Sequence, residues 1–478
     1  MLVKSPVHAD EVTPYHSGFI YDQFPLTLVD GWRTEILGPL YYTQKVDTRS
    51  DWAFPLLALA GGEDPATESS DFDFIYPVFS YHRYGNEFRW QLFQLLDFAG
   101  SRYQDDNRAK RFTLFPIYFQ QRSSRTNENY TAIVPFYGHL DHRLFKDKID
   151  FVMFPFYAKT QKKDVITYNT PYPFFHTRYG DHLHGWQLWP FYGEEHKDPV
   201  TRTNEYGDEK LMGGHDTRFF VFPLFFQGTN LTGTPEQSHY EAFIPFYNYL
   251  RSPERDVTSY GWPLGVTHTV DREKKFVEWD APWPLVEFAH GEGKTEHRIW
   301  PFFSEAHNTN LTANWYAWPV YKYNRVQSDP LDRSRTRILF FLYSDTKTRD
   351  TERKKEFRRK DFFGLYTWRK EMNGNEHLQV ISILEPIFPN NTHMERTYSQ
   401  LYALWRSDKN PTTQSASQSL LWNLYRHQTS PGTKKTSLLF GLFQYESTPA
   451  GKEWRVAYIP FHGSKPACSD PVRPAISK

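Results

Sequence analysis

Residues 172–191 read YPFFHTRYGDHLHGWQLWPF, and this stretch holds the pattern from which the chain is built. It opens and closes on the same short box: an apolar residue, proline, then another aromatic. The box recurs as FPIY at Pro116, VPFY at Pro135, FPFY at Pro155, IPFY at Pro245, WPFF at Pro301, WPVY at Pro319 and IPFH at Pro460. Its interval is about 20 residues, so the chain reads first as a repeat array. Later boxes lose the proline and keep the apolar setting, as in LFFLY, LLWNLY and LLFGLF.

A longer period lies over this one. The opening stretch resembles YPVFSYHRYGNEFRWQLFQL (76–95), WPLVEFAHGEGKTEHRIWPFF (283–303) and EPIFPNNTHMERTYSQLYALW (385–405). Paired marks stand 17 residues apart in all four, at 77/94, 173/190, 284/301 and 386/403. The array therefore divides into an N-terminal segment (1–30), two lead-in strands (31–72), repeats at 73–168, 169–279, 280–381 and 382–465, and a polar tail (466–478). No Gly/Ser linker or low-complexity tract separates the copies.

Each box is rich in Phe, Tyr, Trp, Val and Ile, and its proline would break a helix. Turn-forming segments such as HKDP (196–199), GEGK (291–294) and SDPLD (328–332) lie between boxes. The expected unit is one strand with the box at its midpoint, kinked by proline, followed by a short connection. Short connections favour antiparallel neighbours. This predicts an all-β, up-and-down meander of about 22 strands. One large closed β-barrel of the outer-membrane type leads the architectures; a β-propeller and a soluble flattened barrel or curved sheet also fit. A spanning strand wants about 9–11 residues, and Arg298 and Glu305 bracket the Pro301 box more tightly than that.

Composition narrows the chemistry. Of 478 residues, 18% are aromatic and 39% hydrophobic, so the apolar content is unusually rich in rings. Lys+Arg and Asp+Glu both total 56, which leaves no net field to draw nucleic acid. Mean hydropathy is −0.69, and barrels tolerate this because their strands alternate. The lone Cys468 excludes disulfides and multi-cysteine metal sites. The start MLVKSPVHADEV lacks the apolar stretch of a complete signal peptide.

Few residues carry chemistry. His182 and His184 in DHLH would share one face of a strand, and His176 lies near in sequence, so the three are the metal candidates. Solvated turn histidines are the better reading of DHLH, and His139 and His142 are read in the same way. Trp186 and Trp189 are candidates for stacking on a sugar. The basic pair Lys162-Lys163 reads as a charged turn. No GxSxG, P-loop or HExxH pattern occurs, and no cofactor is expected. The expectation is a non-enzymatic, extracytoplasmic β-repeat protein of the cell envelope, with a structural or solute-transport role and a lipid bilayer or glycan as partner. The alternatives are a soluble glycan- or protein-binding module and a glycan-active enzyme. Any site should lie in what does not repeat, such as the 194–217 insertion.

Overall fold

A computed structural model describes residues 19–93, 95–101, 110–123, 129–203, 207–389, 391–449 and 451–462. The described residues are nearly all antiparallel β, 63% strand, with one helix of 11 residues among them at 392–402. It divides into two compact units, 77–354 and 1–76 with 355–478. In each, successive strands pair as an antiparallel meander. The fold class and the meander match the reading of the sequence.

The box does not stand where it was expected. The strand Lys146–Val152 stops before Met153, and the next strand, Tyr157–Lys162, starts after Phe156. Between them the Phe154–Pro155 peptide is cis, and the Phe156 N–H donates to Met153 O at 2.8 Å. A cis-proline at the third of four turn residues makes a type VI reversal. The same closure recurs at Pro190, where Phe191 N–H donates to Leu188 O, and at Pro301, where Phe302 N–H donates to Ile299 O. Proline has no N–H to give a ladder, so it occupies the turn, and the polar stretches between boxes form the strands. Boxes without proline turn through left-handed residues instead, Leu339 and Phe340 at φ 46° and 58° among them. Each interval thus holds two short strands rather than one long one, and the described residues form 45 strands, not about 22.

In the unit 77–354, one strand face is buried and changes character along the meander. Near its start the face is apolar: Phe119, Tyr130, Ala132, Leu140, Phe151 and Ala158 form one cluster. Gly138 is required there, because a Cβ at that position would lie 2.2 Å from the Ala132 Cβ. Further on, the same kind of face buries Asp280, Glu287 and Glu296. The 194–217 insertion adds a hairpin, Val200–Thr203 with Glu209–Met212, outside the main ladder. The flanking strands Tyr192–Lys197 and Gly214–Phe220 pair directly across it.

The other unit holds the strands from Tyr21–Pro25 to Ser69–Phe74 and those from Lys355–Phe362 to Ile459–His462. A helix at 392–402 interrupts the strands of this unit. The repeat at 382–465 resembles the others in sequence, yet it places a helix where they place a hairpin. The Asn391 side chain starts the helix by accepting from the Met394 N–H at 3.0 Å. Its Arg396 reaches Asp51 at 3.2 Å and Asp73 at 2.7 Å, and the Tyr42 hydroxyl donates to Arg396 O at 2.7 Å. Nothing in the marks Pro386 and Ala403 announces these contacts.

The pairings do not show the expected closure into a barrel. Among the described residues no ladder joins Tyr21–Pro25 to Ile459–His462. Strands run from 4 residues, as in Tyr130–Ile133, to 8, as in Tyr343–Asp350. That is shorter than a tilted bilayer-spanning strand of about 9–11 residues. Strand Lys294–Ile299 carries Lys294, Glu296 and Arg298 on one face and Thr295, His297 and Ile299 on the other.

Candidate functional site

Because strands alternate direction, consecutive turns fall on opposite edges of the meander. In the unit 77–354 the described turns of one edge are the boxes, including Phe115–Ile117, Met153–Phe156, Trp189–Phe191, Trp300–Phe302 and Leu339–Leu342. The turns of the other edge are polar: Gly85-Asn86, Lys163-Asp164, Asp181-His182, Arg272–Lys275, Glu292-Gly293 and Thr351–Lys354. Leu144-Phe145 is the exception on the polar edge.

The two residues flanking each proline have different roles. Where the residue before it is aromatic, its ring packs along the edge with that of a neighbouring turn. Phe154 lies 5.8 Å from Tyr172, Trp189 lies 6.1 Å from Phe222, and Trp318 lies 6.3 Å from Trp300 and 5.4 Å from Phe340. Backbone bonds tie the turns together, since Pro155 O accepts from Tyr172 N–H and Pro190 O accepts from Phe222 N–H, at 2.8 and 2.6 Å. The residue after proline is the tip. Phe156 is 67% exposed, Phe302 68% and Leu264 80%. Large apolar side chains rarely stand this open, and a continuous row of them marks an interaction surface.

The residues singled out from the sequence separate. His182 is in a two-residue turn with Asp181, both left-handed at φ 59° and 53°. Such pairs make the primed turns that suit hairpins. His176 pairs with Gln187, whereas Tyr179 pairs with His184. Alternation along the two strands puts His176 and His184 on opposite faces, so the three imidazoles do not converge as the sequence reading had allowed. Burial first, then the charge of Arg178, lowers the His176 pKa. His184 lies 5.1 Å from the ring of His196 instead. His139 sits between Asp150 and Asp141, at 2.5 and 3.0 Å.

Trp186 and Trp189 do not share a platform. Trp189 belongs to the edge ladder. Trp186 stands 40% exposed on a strand face, in a groove with His184, Glu194, Asp216 and Arg218. Its indole N–H donates to Glu194 at 2.9 Å, and the Tyr192 hydroxyl donates to the same carboxylate at 2.7 Å. These two donors hold Glu194 below its ordinary pKa.

Two buried ionic clusters escaped the sequence reading, because their members come from different strands. In the unit 77–354, Lys294 Nζ lies 2.6 Å from Glu278, 2.5 Å from Glu287 and 3.2 Å from Glu296, while Arg298 reaches Glu287 at 2.9 Å. Asp280 sits beside them without a hydrogen-bond donor on Oδ1. Burial, then the charges of Glu278 and Glu287, pushes its pKa up to about 7. Glu278, Asp280 and Glu287 bring their oxygens within 4.8 Å of one another, a hard-cation geometry that the Lys294 ammonium already occupies in part. In the other unit, Asp71, Asp73 and His393 converge similarly, with Arg396 in the metal's place. The Asp71 pKa is lowered: burial opposes this, and the charge of Arg396 outweighs it.

No protein-family model and no curated protein matches the chain.

Proposed function

We propose that this chain is a non-enzymatic β-repeat scaffold that rests on a lipid bilayer through its box edge, with the polar edge turned to water. The carrying observation is the segregation of turns: apolar tips on one edge, charged and small residues on the other. A single strand is about 20 Å long, so the edges are separated by more than a headgroup layer. Trp, Tyr and Phe are the residues that settle at membrane interfaces, and the ring ladder presents them pre-ordered. Strands this short favour lying on the bilayer over crossing it.

Flotation with phosphatidylcholine vesicles tests this. The protein should float with the vesicles, and its tryptophan emission should be quenched by lipids brominated near the headgroup. The double variant Phe156→Ser, Phe302→Ser should stay in the soluble fraction with an unchanged circular dichroism spectrum. Protein that remains free of vesicles, or that buries the edge against a second copy in sedimentation, would sink the reading.

The groove at Trp186 supports a second reading, glycan binding. An exposed ring beside Glu194 and Arg218 has the mix of stacking and polar groups that sugars require. A glycan array with no hit that depends on Trp186→Ala would remove it.

A further inference from the structure

The 194–217 insertion does more than lengthen a turn. Its hairpin covers part of the polar end of the buried face in the unit 77–354, and beneath it lies a cavity of about 300 Å³. Six cationic side chains line this cavity: Lys146, Lys162, Lys163, Arg178, Lys197 and Arg202. One carboxylate, Asp181, is among the lining residues, and it is already shared by Lys197 at 2.7 Å and Arg202 at 2.6 Å. Arg178 is paired with Glu195 at 2.5 Å, and Glu195 is also held by His215 at 2.8 Å. Asp147 is engaged by the Lys163 backbone N–H. Counting these two outlying acids still leaves the cations in excess. Lys146, Lys162 and Lys163 make no ion pair among the described residues.

We propose that this cavity is a binding site for a small molecule bearing a phosphoryl or pyrophosphoryl group. Lys146 and Lys162 would meet the anion, and Arg178, aligned by Glu195, would offer its remaining N–H groups. Val165, Val200 and Met212 form an apolar wall against which the rest of the ligand would pack. The volume suits a compact metabolite rather than a polymer. Burial, then the charges of Arg178 and Lys162, lowers the Lys146 pKa, as expected where like charges are gathered. The site opens at the polar edge, away from the box edge, so its ligand comes from solution and not from the headgroup layer. The hairpin interrupts the repeat at this point, so the array departs from its own rule where the cavity is made.

Calorimetry with inorganic pyrophosphate at low salt tests the proposal. Saturable binding is expected, weakened at least fivefold in Lys146→Gln and in Lys162→Gln. Lys274→Gln, in the basic turn Arg272–Lys275, should bind like the parent. No saturable heat at millimolar pyrophosphate would overturn the site. Equal weakening in Lys274→Gln would overturn it as well, since diffuse surface charge would then explain the binding. Pyrophosphate should not displace the protein from phosphatidylglycerol-containing vesicles, and displacement would overturn the assignment to a soluble ligand. Thermal melts of each variant, matching the parent, exclude unfolding as the cause of any loss.

Discussion

The buried face of the unit 77–354 does two different things with one construction. Around Leu140 it buries apolar side chains that lock through shape: Leu140 opposite Ile149, and Phe151 opposite Ala158 and against Gly138. Around Lys294 it buries four carboxylates and two cations that lock through charge. Strand length, pairing and edge turns are alike in both regions. The difference teaches that the ladder and the box turns carry the fold, which leaves the strand faces free to vary. That freedom is how a repetitive chain acquires sites that do not repeat.

The comparison breaks most sharply at Lys294. Lys294→Met leaves Glu278, Glu287 and Glu296 without their shared cation and should cost about 3–5 kcal/mol, read from urea melts at pH 7. A loss below about 1 kcal/mol would mean that the carboxylates simply take up protons. Leu140→Ala should cost about 2–5 kcal/mol through lost burial and a cavity, with no dependence on pH between 4 and 8. That independence separates the apolar region from the charged one.

Asp280 sharpens the contrast through pH. Its folded pKa of about 7 lies above the ordinary value of 3.8, so the fold favours the protonated form. The stability it contributes is therefore full below pH 4 and is lost as pH rises through 7. Asp280→Asn should match the parent at pH 4 and exceed it by on the order of 2–4 kcal/mol at pH 8. An equal difference at both pH values would show that Asp280 is ionised throughout. The smallest effect belongs to His139, on the face opposite Leu140. Burial works against its protonation, but Asp150 and Asp141 outweigh burial and raise its pKa. A stabilising contribution present below pH 6.5 should fade as pH rises through the higher folded value, and His139→Gln should abolish that slope. A proton NMR titration of His139 in the parent reads the same shift directly.

Much of this architecture is legible in one dimension. Ring-rich boxes at a fixed interval, with turn-forming residues between them, announce an antiparallel β array. The place of each box was misread because its aromatic residues resemble strand residues while its proline resembles a kink. A cis peptide resolves both features into a turn, and a one-letter sequence does not write peptide isomers. The helix at 392–402 was hidden for another reason. Its stabilising partners, Asp51, Asp71 and Asp73, lie more than 300 positions away along the chain. The DHLH histidines looked convergent because the turn at Asp181-His182 was read as strand, and His176 because its register against His184 is not written in the sequence. The basic cavity was invisible as well: Lys162-Lys163 is an ordinary charged turn until Lys146, Arg178 and the inserted hairpin are brought beside it.

The amino-acid sequence by itself determined the class of fold and the recurrence of the box, and its single cysteine leaves no partner within the chain for a disulfide. These follow from composition and from local backbone preference, which act over a few neighbouring residues. Tertiary structure alone decided that the boxes form one apolar edge, that buried faces hold grease in one region and ions in another, and that six cations share one cavity. Those outcomes depend on which strands pair and in what register. Register brings together side chains that the chain itself keeps tens to hundreds of residues apart.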